Sequence, residues 1–136
     1  MNKEKHPKIS KNSLPQGVRV SVKASQDKKA AGIIVLDLSE ISSFTDYFVI
    51  MNGNSDKQNI AICHGVARAL KKANFKPLSI EGLDKAEWVL MDYGSFIIHI
   101  FSEQAREYYS LEKLWGDGPK LYIKNEIKSI VAGENK

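Results

Sequence analysis

The sequence predicts a single α/β domain in which strands and helices alternate along the chain. Three observations predict it: apolar runs rich in β-branched residues, a long amphipathic helix between two of these runs, and a hairpin-like pair of runs further along. The length of 136 residues fits one domain, and the 43% hydrophobic and 26% charged residues are ordinary for a folded protein.

The first predicted elements are a weak helix and two buried strands. Residues 16–30 place valines among charged residues, a weakly amphipathic pattern. The continuous apolar runs 33–36 and 47–51 predict buried strands, because a strand covered on both faces is apolar throughout. Residues 1–15 are polar and end at a proline, which indicates a flexible basic arm ahead of the domain.

The clearest predicted element is an amphipathic helix over residues 55–74. Ser55 followed by Gln58 is a capping-box pattern, and apolar residues recur at helical spacing beyond it. Asn74 suits a left-handed helix end, and a proline three residues later prevents continuation. The helix therefore connects two strand-like runs, the second of which is the short candidate 78–81.

Residues 88–92 and 96–101 predict a β-hairpin with its turn at Tyr93-Gly94. A two-residue loop there would pair Trp88 with His99, Leu90 with Ile97, and Asp92 with Ser95. Because side chains alternate along a strand, one face is purely apolar and should meet the core. That face holds Val89, Met91, Phe96, Ile98 and Ile100. The other is mixed, as a partly exposed surface would be: Trp88, Leu90, Asp92, Ser95, Ile97, His99 and Phe101.

The last predicted elements are a helix and a tail. Ser102 caps a helix that continues through the aromatic and leucine positions up to Trp115 and ends at the glycines and proline of 116–119. Residues 120–132 fit either a short amphipathic helix or a disordered tail. The predicted organisation is thus a domain over 16–118 and a C-terminal extension over 119–136.

The net charge of +4 belongs to the ends of the chain. Residues 1–14 carry +3, residues 119–136 carry +2, and residues 15–118 carry −1. Basic tails can contact phosphate with little sequence specificity, but scattered lysines are also found simply at solvated ends. The chain has no apolar segment after its first lysines and no apolar run long enough to span a membrane, and with its single cysteine this indicates a cytoplasmic protein.

The residues that catalysis or metal binding needs do not cluster in the sequence. The histidines at 6, 64 and 99 are far apart, and Cys63 sits where a buried apolar residue would fit. No Asp-x-Asp or Asp-x-Glu pair supplies the acids of two-metal chemistry, although the segment 53–55 ahead of a helix could hold an anion. We therefore expect no metal, no cofactor and no enzyme activity.

The aromatic residues of the hairpin fit a protein-binding patch better than a nucleic-acid surface. Acids precede two of them, in Glu87-Trp88 and Asp92-Tyr93, and would repel a phosphate backbone. Aromatic residues beside polar neighbours are typical of protein interfaces. Taken alone, Trp88 fits a core tryptophan as well as an exposed anchor, and His99 fits a surface histidine.

Several strings resemble, in order and spacing, the ribosomal silencing factor (Iojap-type) family. They are Ile34-Val35-Leu36-Asp37-Leu38, Thr45-Asp46-Tyr47-Phe48-Val49-Ile50, Gly53-Asn54-Ser55-Asp56, Glu81-Gly82-Leu83, Trp88-Val89-Leu90-Met91-Asp92-Tyr93-Gly94 and Leu111-Glu112-Lys113-Leu114-Trp115-Gly116-Asp117. The agreement extends from about residue 17 to 118. Several motifs in one order are far more specific than any one of them.

The resemblance implies a fold and a function. The fold is a mixed β-sheet of about five strands with flanking helices, nucleotidyltransferase-like without catalytic acids. The implied function is a translational repressor that binds a large-subunit ribosomal protein at the intersubunit face. It sterically blocks the joining of the small and large subunits and lowers translation in nutrient limitation. Two alternatives stay open: a nucleotidyltransferase-like enzyme, and a small RNA-binding protein that uses the basic ends.

The mixed face of the hairpin is the expected partner-binding surface, with two residues of the following helix added. The expected contacts are Trp88, Leu90, Asp92, Tyr93, Ile97, His99, Lys113 and Trp115. The basic tails are expected to contact ribosomal RNA at the periphery, and no membrane partner is expected. An exposed aromatic face could also self-associate, so a homodimer of the free protein is a further expectation.

Overall fold

A computed structural model describes residues 9–124, which form a six-stranded sheet with helices on both faces. The strands are β1 (Ala31–Asp37), β2 (Tyr47–Asn52), β3 (Ser79–Glu81), β4 (Trp88–Asp92), β5 (Phe96–Phe101) and β6 (Lys120–Tyr122). The α-helices are α1 (Gln16–Asp27), α2 (Asp56–Lys72), α3 (Glu103–Tyr109) and α4 (Leu111–Leu114). None of the helices within residues 9–124 combines the length and the hydrophobicity of a transmembrane segment.

The sheet is mixed, with the strand order β3-β4-β5-β2-β1-β6. Strands β2 and β5 run parallel, and every other neighbouring pair is antiparallel. Parallel neighbours need a crossover, and the connection from β2 to β5 supplies it by passing through α2. The predicted α/β class with a mixed sheet is therefore confirmed, with one strand more than the five expected.

The two faces of the sheet carry separate apolar clusters. The face packed against α1 and α2 holds the larger cluster, which includes Val18, Val22, Val35, Val49, Met51, Ile62, Val66, Leu70, Val89, Met91, Ile98 and Ile100. The opposite face holds Ile34, Leu36, Leu38, Phe48, Ile50, Ile97, Phe101 and Leu111. Within residues 9–124 this second face is covered by the short helices α3 and α4, which leaves part of it accessible.

The start of α2 confirms half of the predicted capping box. The Gln58 amide donates to Ser55 Oγ at 3.0 Å, as a cap requires. The Gln58 side chain does not return to Ser55: its Oε1 accepts from Asn54 N at 2.7 Å, and its Nε2 donates to the Lys28 and Lys29 carbonyls. Gln58 therefore ties α2 to the turn that follows α1, a contact between segments that local spacing cannot reveal.

Replacing the cap Ser55 with alanine is expected to lower the free energy of unfolding by about 1 kcal/mol, because one backbone donor of the first turn loses its acceptor. Urea denaturation measures the change. Ser43 is the matched control: it is exposed and makes no hydrogen bond within the described part of the chain, so Ser43→Ala should stay within about 0.5 kcal/mol of the wild type. Equal losses in both variants would contradict the cap.

The β4–β5 hairpin has the predicted strands but a different register. Trp88 lies opposite Phe101, Leu90 opposite His99, and Asp92 opposite Ile97. The Tyr93 amide donates to Phe96 O at 3.0 Å, so the turn residues are Gly94 and Ser95 rather than Tyr93 and Gly94. Gly94 has a φ of 87°, which favours glycine at this position. The register differs from the prediction by two residues, and because side chains alternate with period two, the strand residues keep their predicted sides of the sheet. The mixed face is partly exposed only along β4, because Ile97, His99 and Phe101 on β5 are buried.

The sequence predicts one helix after Ser102, but the structure contains two, α3 and α4. Ser102 caps α3 as expected, since its Oγ accepts from Ala105 N at 3.1 Å. Ser110 then adopts a left-handed conformation with a φ of 48°, which ends α3 at Tyr109. The predicted helix continued to Trp115. The chain turns there, and Leu111 at the start of α4 is buried in the second cluster.

Both ends of the described chain pack beyond the predicted bounds 16–118. Residues 11–13 of the predicted flexible arm form a 3-10 turn, and Leu14 is buried in the larger cluster. Residues 120–122 pair with β1 as strand β6, where the sequence predicted a helix or disorder. Residues 1–8 of the arm and residues 125–136 of the tail lie outside the described residues.

Candidate protein-binding face

The sheet face beneath α3 and α4 carries a continuous row of aromatic rings, which we call the aromatic face. Its members are Phe44, Phe48, Trp88, His99, Tyr108, Tyr109 and Trp115. Neighbouring ring centroids lie at 6.0 Å (Phe44–Trp115), 5.9 Å (Trp115–Phe48), 4.3 Å (Phe48–His99), 5.9 Å (His99–Trp88), 4.6 Å (Trp88–Tyr109) and 5.0 Å (Tyr109–Tyr108). Rings at these separations attract one another, so the row is held in place before any partner binds.

The two ends of the row are open to solvent. Phe44 is 58% exposed at one end, and Tyr108 and Tyr109 are 81% and 46% exposed at the other. Leu114 on α4 is 71% exposed, while Trp88 and Trp115 are half-buried. Contiguous exposed apolar side chains are typical of an interaction site, because burying them on a partner removes their area from water.

Trp88 and His99 form one hydrogen-bonded unit at the centre of the aromatic face. Trp88 Nε1 donates to His99 Nδ1 at 3.0 Å, which makes Nδ1 an acceptor and places the imidazole proton on Nε2. Burial lowers the pKa of His99 to about 3, so the ring is neutral near pH 7. The indole also packs on Phe101 at 5.0 Å and Tyr109 at 4.6 Å, which fixes its orientation.

His99 is therefore not the surface histidine that the sequence indicated. It is only 3% exposed, beneath the rings of Phe48 and Trp88. Its expected direct contact with a partner is wrong for this structure, because the neighbouring rings cover it.

Three further predicted contacts of the hairpin are Leu90, Asp92 and Ile97. Leu90 is half-buried and Ile97 is 8% exposed, both at the second cluster. Asp92 is half-buried, and its Oδ1 accepts from Gly94 N at 2.9 Å, so this carboxylate shapes the turn. These three residues lie on the side of the aromatic face, where Leu90 remains the most accessible apolar candidate.

Tyr93 lies on the opposite side, which corrects its place among the predicted contacts. Its ring stacks on Phe96 with centroids 5.1 Å apart and packs against the larger cluster. Burial, and to a smaller degree the nearby Cys63, raises the pKa of Tyr93 to about 12. Strand alternation places Tyr93 with Val89 and Met91 on the core side, so the sequence pattern itself contained this signal.

The two predicted contacts beyond the hairpin lie on the side of the aromatic face. Trp115 is half-buried and meets Phe44 and Phe48 edge to face, so it both covers the second cluster and presents surface. Lys113 is exposed on α4. Both residues thus lie on or directly after α4, on the same side of the sheet as Trp88.

Sequence reasoning missed four exposed residues that enlarge this surface: Phe44, Tyr108, Tyr109 and Leu114. A signal existed for three of them, because a helix that packs one stripe on the core cannot bury tyrosines at 108 and 109 together with leucines at 111 and 114. Phe44 lies in the loop between β1 and β2, where neither helix nor strand periodicity predicts which side chains are exposed.

Arg106 holds the two short helices against the sheet. Its Nη1 donates to Asn52 Oδ1 at 2.9 Å, at the end of β2. Its Nη2 lies 3.1 Å from Glu112 Oε2, and the Arg106 side chain is 14% exposed. A partly buried ion pair with an added amide bond fixes α3 relative to α4, and with them the positions of Tyr109 and Leu114.

The amides considered for anion binding are engaged in hydrogen bonds, and the candidate nucleophile Cys63 is buried. The amides of Asn54, Lys57 and Gln58, where a phosphate could bind at the start of α2, already donate to side-chain oxygens. Cys63 is fully buried, as predicted, and burial raises the pKa of its thiol to about 11, while its neighbour His64 is exposed. Among residues 9–124, no three potential metal ligands lie together.

The fold and this face define a small mixed α/β domain with an exposed aromatic surface on one side of its sheet. Residues 11–136 match the family model of the ribosomal silencing factor during starvation, and the chain belongs to that family. The resemblance seen in the sequence is thereby confirmed.

Relatives and solved structures agree with this family. A ribosomal silencing factor of Bacillus subtilis is 42% identical over 102 residues, covering 75% of this chain and 86% of the relative. One of Halalkalibacterium halodurans is 38% identical over 110 residues, covering 81% and 94%. A crystal structure of a Chromobacterium violaceum protein superposes with a TM-score of 0.73 at 30% identity, covering 80% of this chain and 91% of that one. Another, from Bacillus halodurans, has a TM-score of 0.69 at 37% identity and covers 78% and 96%.

Proposed function

We propose that this protein is a translational repressor that binds a protein of the large ribosomal subunit at the intersubunit face and blocks joining of the small subunit. The aromatic face is the observation that carries the proposal, because it supplies a preformed binding surface. The family supports it through the names of its members, which are ribosomal silencing factors in bacteria. A mouse relative, 37% identical over 93 residues, is named for mitochondrial assembly of the ribosomal large subunit. The place of action is then the cytoplasm.

The energetics of the proposed contact rest on a few aromatic anchors. Trp88 is held in one orientation by His99 and Tyr109, so little side-chain entropy remains to be lost on binding. Phe44 and Tyr109 flank the centre with large exposed areas. Anchors of this kind, surrounded by less important contacts, carry most of the binding energy in protein interfaces.

The charge of the segments that form the sheet and the aromatic face favours a basic protein as the partner. Outside α1, α2 and the residues that directly follow them, the segments 31–55 and 77–118 carry three basic and eleven acidic residues. An acidic surface attracts a basic protein and repels RNA phosphate. Repression then needs no chemistry, because the volume of the bound domain occupies space that the small subunit needs.

A photo-crosslinker at position 44 tests the proposed partner. Phe44 is replaced by benzoylphenylalanine, which is similar in shape, and the protein is irradiated with purified large subunits. The expected product is a cross-link to a large-subunit ribosomal protein located at the intersubunit face. The matched control is the same replacement at Leu78, which is 74% exposed beside the hairpin turn and outside the aromatic row. Cross-links to RNA alone, or equal products from both positions, would contradict the proposal.

A further inference from the structure

The folded part of the chain is strongly polarised, although its overall charge is close to zero. The helix layer, which we define as residues 16–30 and 56–76, carries nine basic and two acidic residues, a net charge of +7. The remaining residues of 15–118 carry a net charge of −8. Counting along the sequence therefore hides a basic surface that the fold collects on the face of the sheet opposite to the aromatic face.

All nine basic side chains of the helix layer are exposed: Arg19, Lys23, Lys28, Lys29, Lys57, Arg68, Lys71, Lys72 and Lys76. Within residues 9–124, one of these side chains forms an ion pair. Lys23 Nζ lies 3.2 Å from Asp27 Oδ1, and both side chains are largely exposed. The second acid of the layer, Asp56, accepts from the Lys57 amide at the start of α2. The other eight cations thus face solvent without a carboxylate partner in the part of the chain that the structure describes.

The exposed side of α2 forms a basic stripe along the whole helix. Lys57, His64, Arg68 and Lys72 follow one another at intervals of seven, four and four residues, so they lie on one side over roughly 22 Å. Lys28 adds to the stripe from the neighbouring turn. A Cβ at Gly65 would lie only 2.8 Å from Lys28 Cε, which shows that the lysine chain crosses α2 at this glycine.

The basic stripe does not stabilise α2. Cations four residues apart, such as Arg68 and Lys72, repel each other along the helix. Lys57 lies in the first turn, where the helix dipole disfavours a positive charge. Only the cations in the last turn, Lys71 and Lys72, suit the dipole. A surface that costs stability in this way is better explained by a ligand.

We propose that the outer surface of the helix layer binds the phosphate backbone of RNA, on the side of the domain opposite to the aromatic face. The apolar sides of α1 and α2 are buried in the core, so neither helix can insert apolar side chains into a membrane. Phe75 is the only Phe, Tyr or Trp of the helix layer, and it packs edge to face on Phe96 with ring centroids 5.9 Å apart instead of being free to stack on bases. Recognition is therefore electrostatic and independent of RNA sequence.

Two such faces give the protein two kinds of contact at once. The acidic and aromatic side binds protein, and the basic side binds RNA. The RNA contact is assigned to the helix layer rather than to the basic ends of the chain. It does not depend on the proposed ribosomal partner, because it follows from the exposed charges alone.

Fluorescence anisotropy with a labelled RNA duplex of about 20 base pairs, titrated between about 50 and 200 mM salt, tests this inference. The helix variant combines Arg68→Gln, Lys71→Gln and Lys72→Gln. The matched control combines Lys3→Gln, Lys5→Gln and Lys8→Gln, which removes the same charge from the N-terminal arm. Circular dichroism verifies that both variants fold like the wild type.

The helix variant is expected to bind the duplex about 10-fold or more weakly, and the slope of log affinity against log salt should fall by about two to three. The arm variant should stay within about threefold of the wild type. The inference is overturned if the arm variant loses as much as the helix variant, if the wild type does not bind the duplex at the lowest salt, or if it prefers anionic lipid vesicles or an acidic peptide to RNA.

Discussion

Replacing Trp88 with alanine is expected to weaken binding to the large ribosomal subunit by about 30-fold or more, because a buried aromatic anchor contributes about 2 kcal/mol or more to an interface. The change removes the indole between Phe101 and Tyr109 and leaves His99 Nδ1 without its donor. Co-sedimentation of the variant with purified large subunits over a range of concentrations measures the loss.

Two further variants separate lost binding from lost folding. Phe44→Ala changes a side chain that is 58% exposed, so it should weaken binding at little cost in stability. Leu78→Ala changes a side chain that is 74% exposed outside the aromatic row, and it should bind like the wild type. Wild-type sedimentation by both Trp88→Ala and Phe44→Ala would show that the partner binds elsewhere on the domain.

Lowering the pH from 7 to 5 is expected to reduce the free energy of unfolding by about 2 kcal/mol through His99 alone. The pKa of His99 is about 3 in the folded protein and about 6.5 in the unfolded chain, so between these values only the unfolded state takes up the proton. The stability that the neutral ring provides is complete above pH 6.5 and is lost as the pH falls toward 3. Urea titrations at several pH values measure the slope.

The control for this pH dependence is the exposed Ser43, which carries no titratable group. His99→Gln should remove most of the dependence between pH 5 and 7, whatever its effect on the absolute stability, because the slope reports only groups that titrate. Ser43→Ala should retain the wild-type slope, because it changes no group that titrates. An unchanged slope in His99→Gln would contradict the buried, neutral ring.

Periodicity was enough to predict the layers of this fold. The hairpin illustrates why: its register differs from the prediction by two residues, yet a shift of two keeps every side chain on its face. The helix after Ser55 was predictable from its cap and its apolar spacing. The break at Ser110 was not, because it depends on Leu111 finding a place in the second cluster.

The candidate binding face was only half predictable, since it combines segments that are distant in sequence. Trp88 and His99 come from one hairpin, and their shared face followed from alternation. Phe44 and Tyr109 reach the same surface from a loop and a later helix, 65 positions apart in the chain. His99 is buried because the rings of Phe48 and Trp88 pack around it, and a local sequence pattern does not show these contacts.

The charge distribution also differs between the order of residues along the chain and their arrangement in the folded domain. Counted along the chain, residues 15–118 are nearly neutral and the basic character lies in the two ends. The fold separates the same residues into a basic helix layer and an acidic remainder. Only the packing of α1 beside α2 brings Lys28 and the α2 stripe together.

The joining of purified small and large ribosomal subunits, with and without this protein, tests the proposed function most directly. Subunits are mixed under conditions that favour joining, and a density gradient separates free from joined particles. The wild-type protein should sediment with the large subunit and reduce the joined fraction in proportion to its occupancy, whereas Trp88→Ala should leave joining intact. Full joining of large subunits that are saturated with the wild-type protein would contradict steric repression.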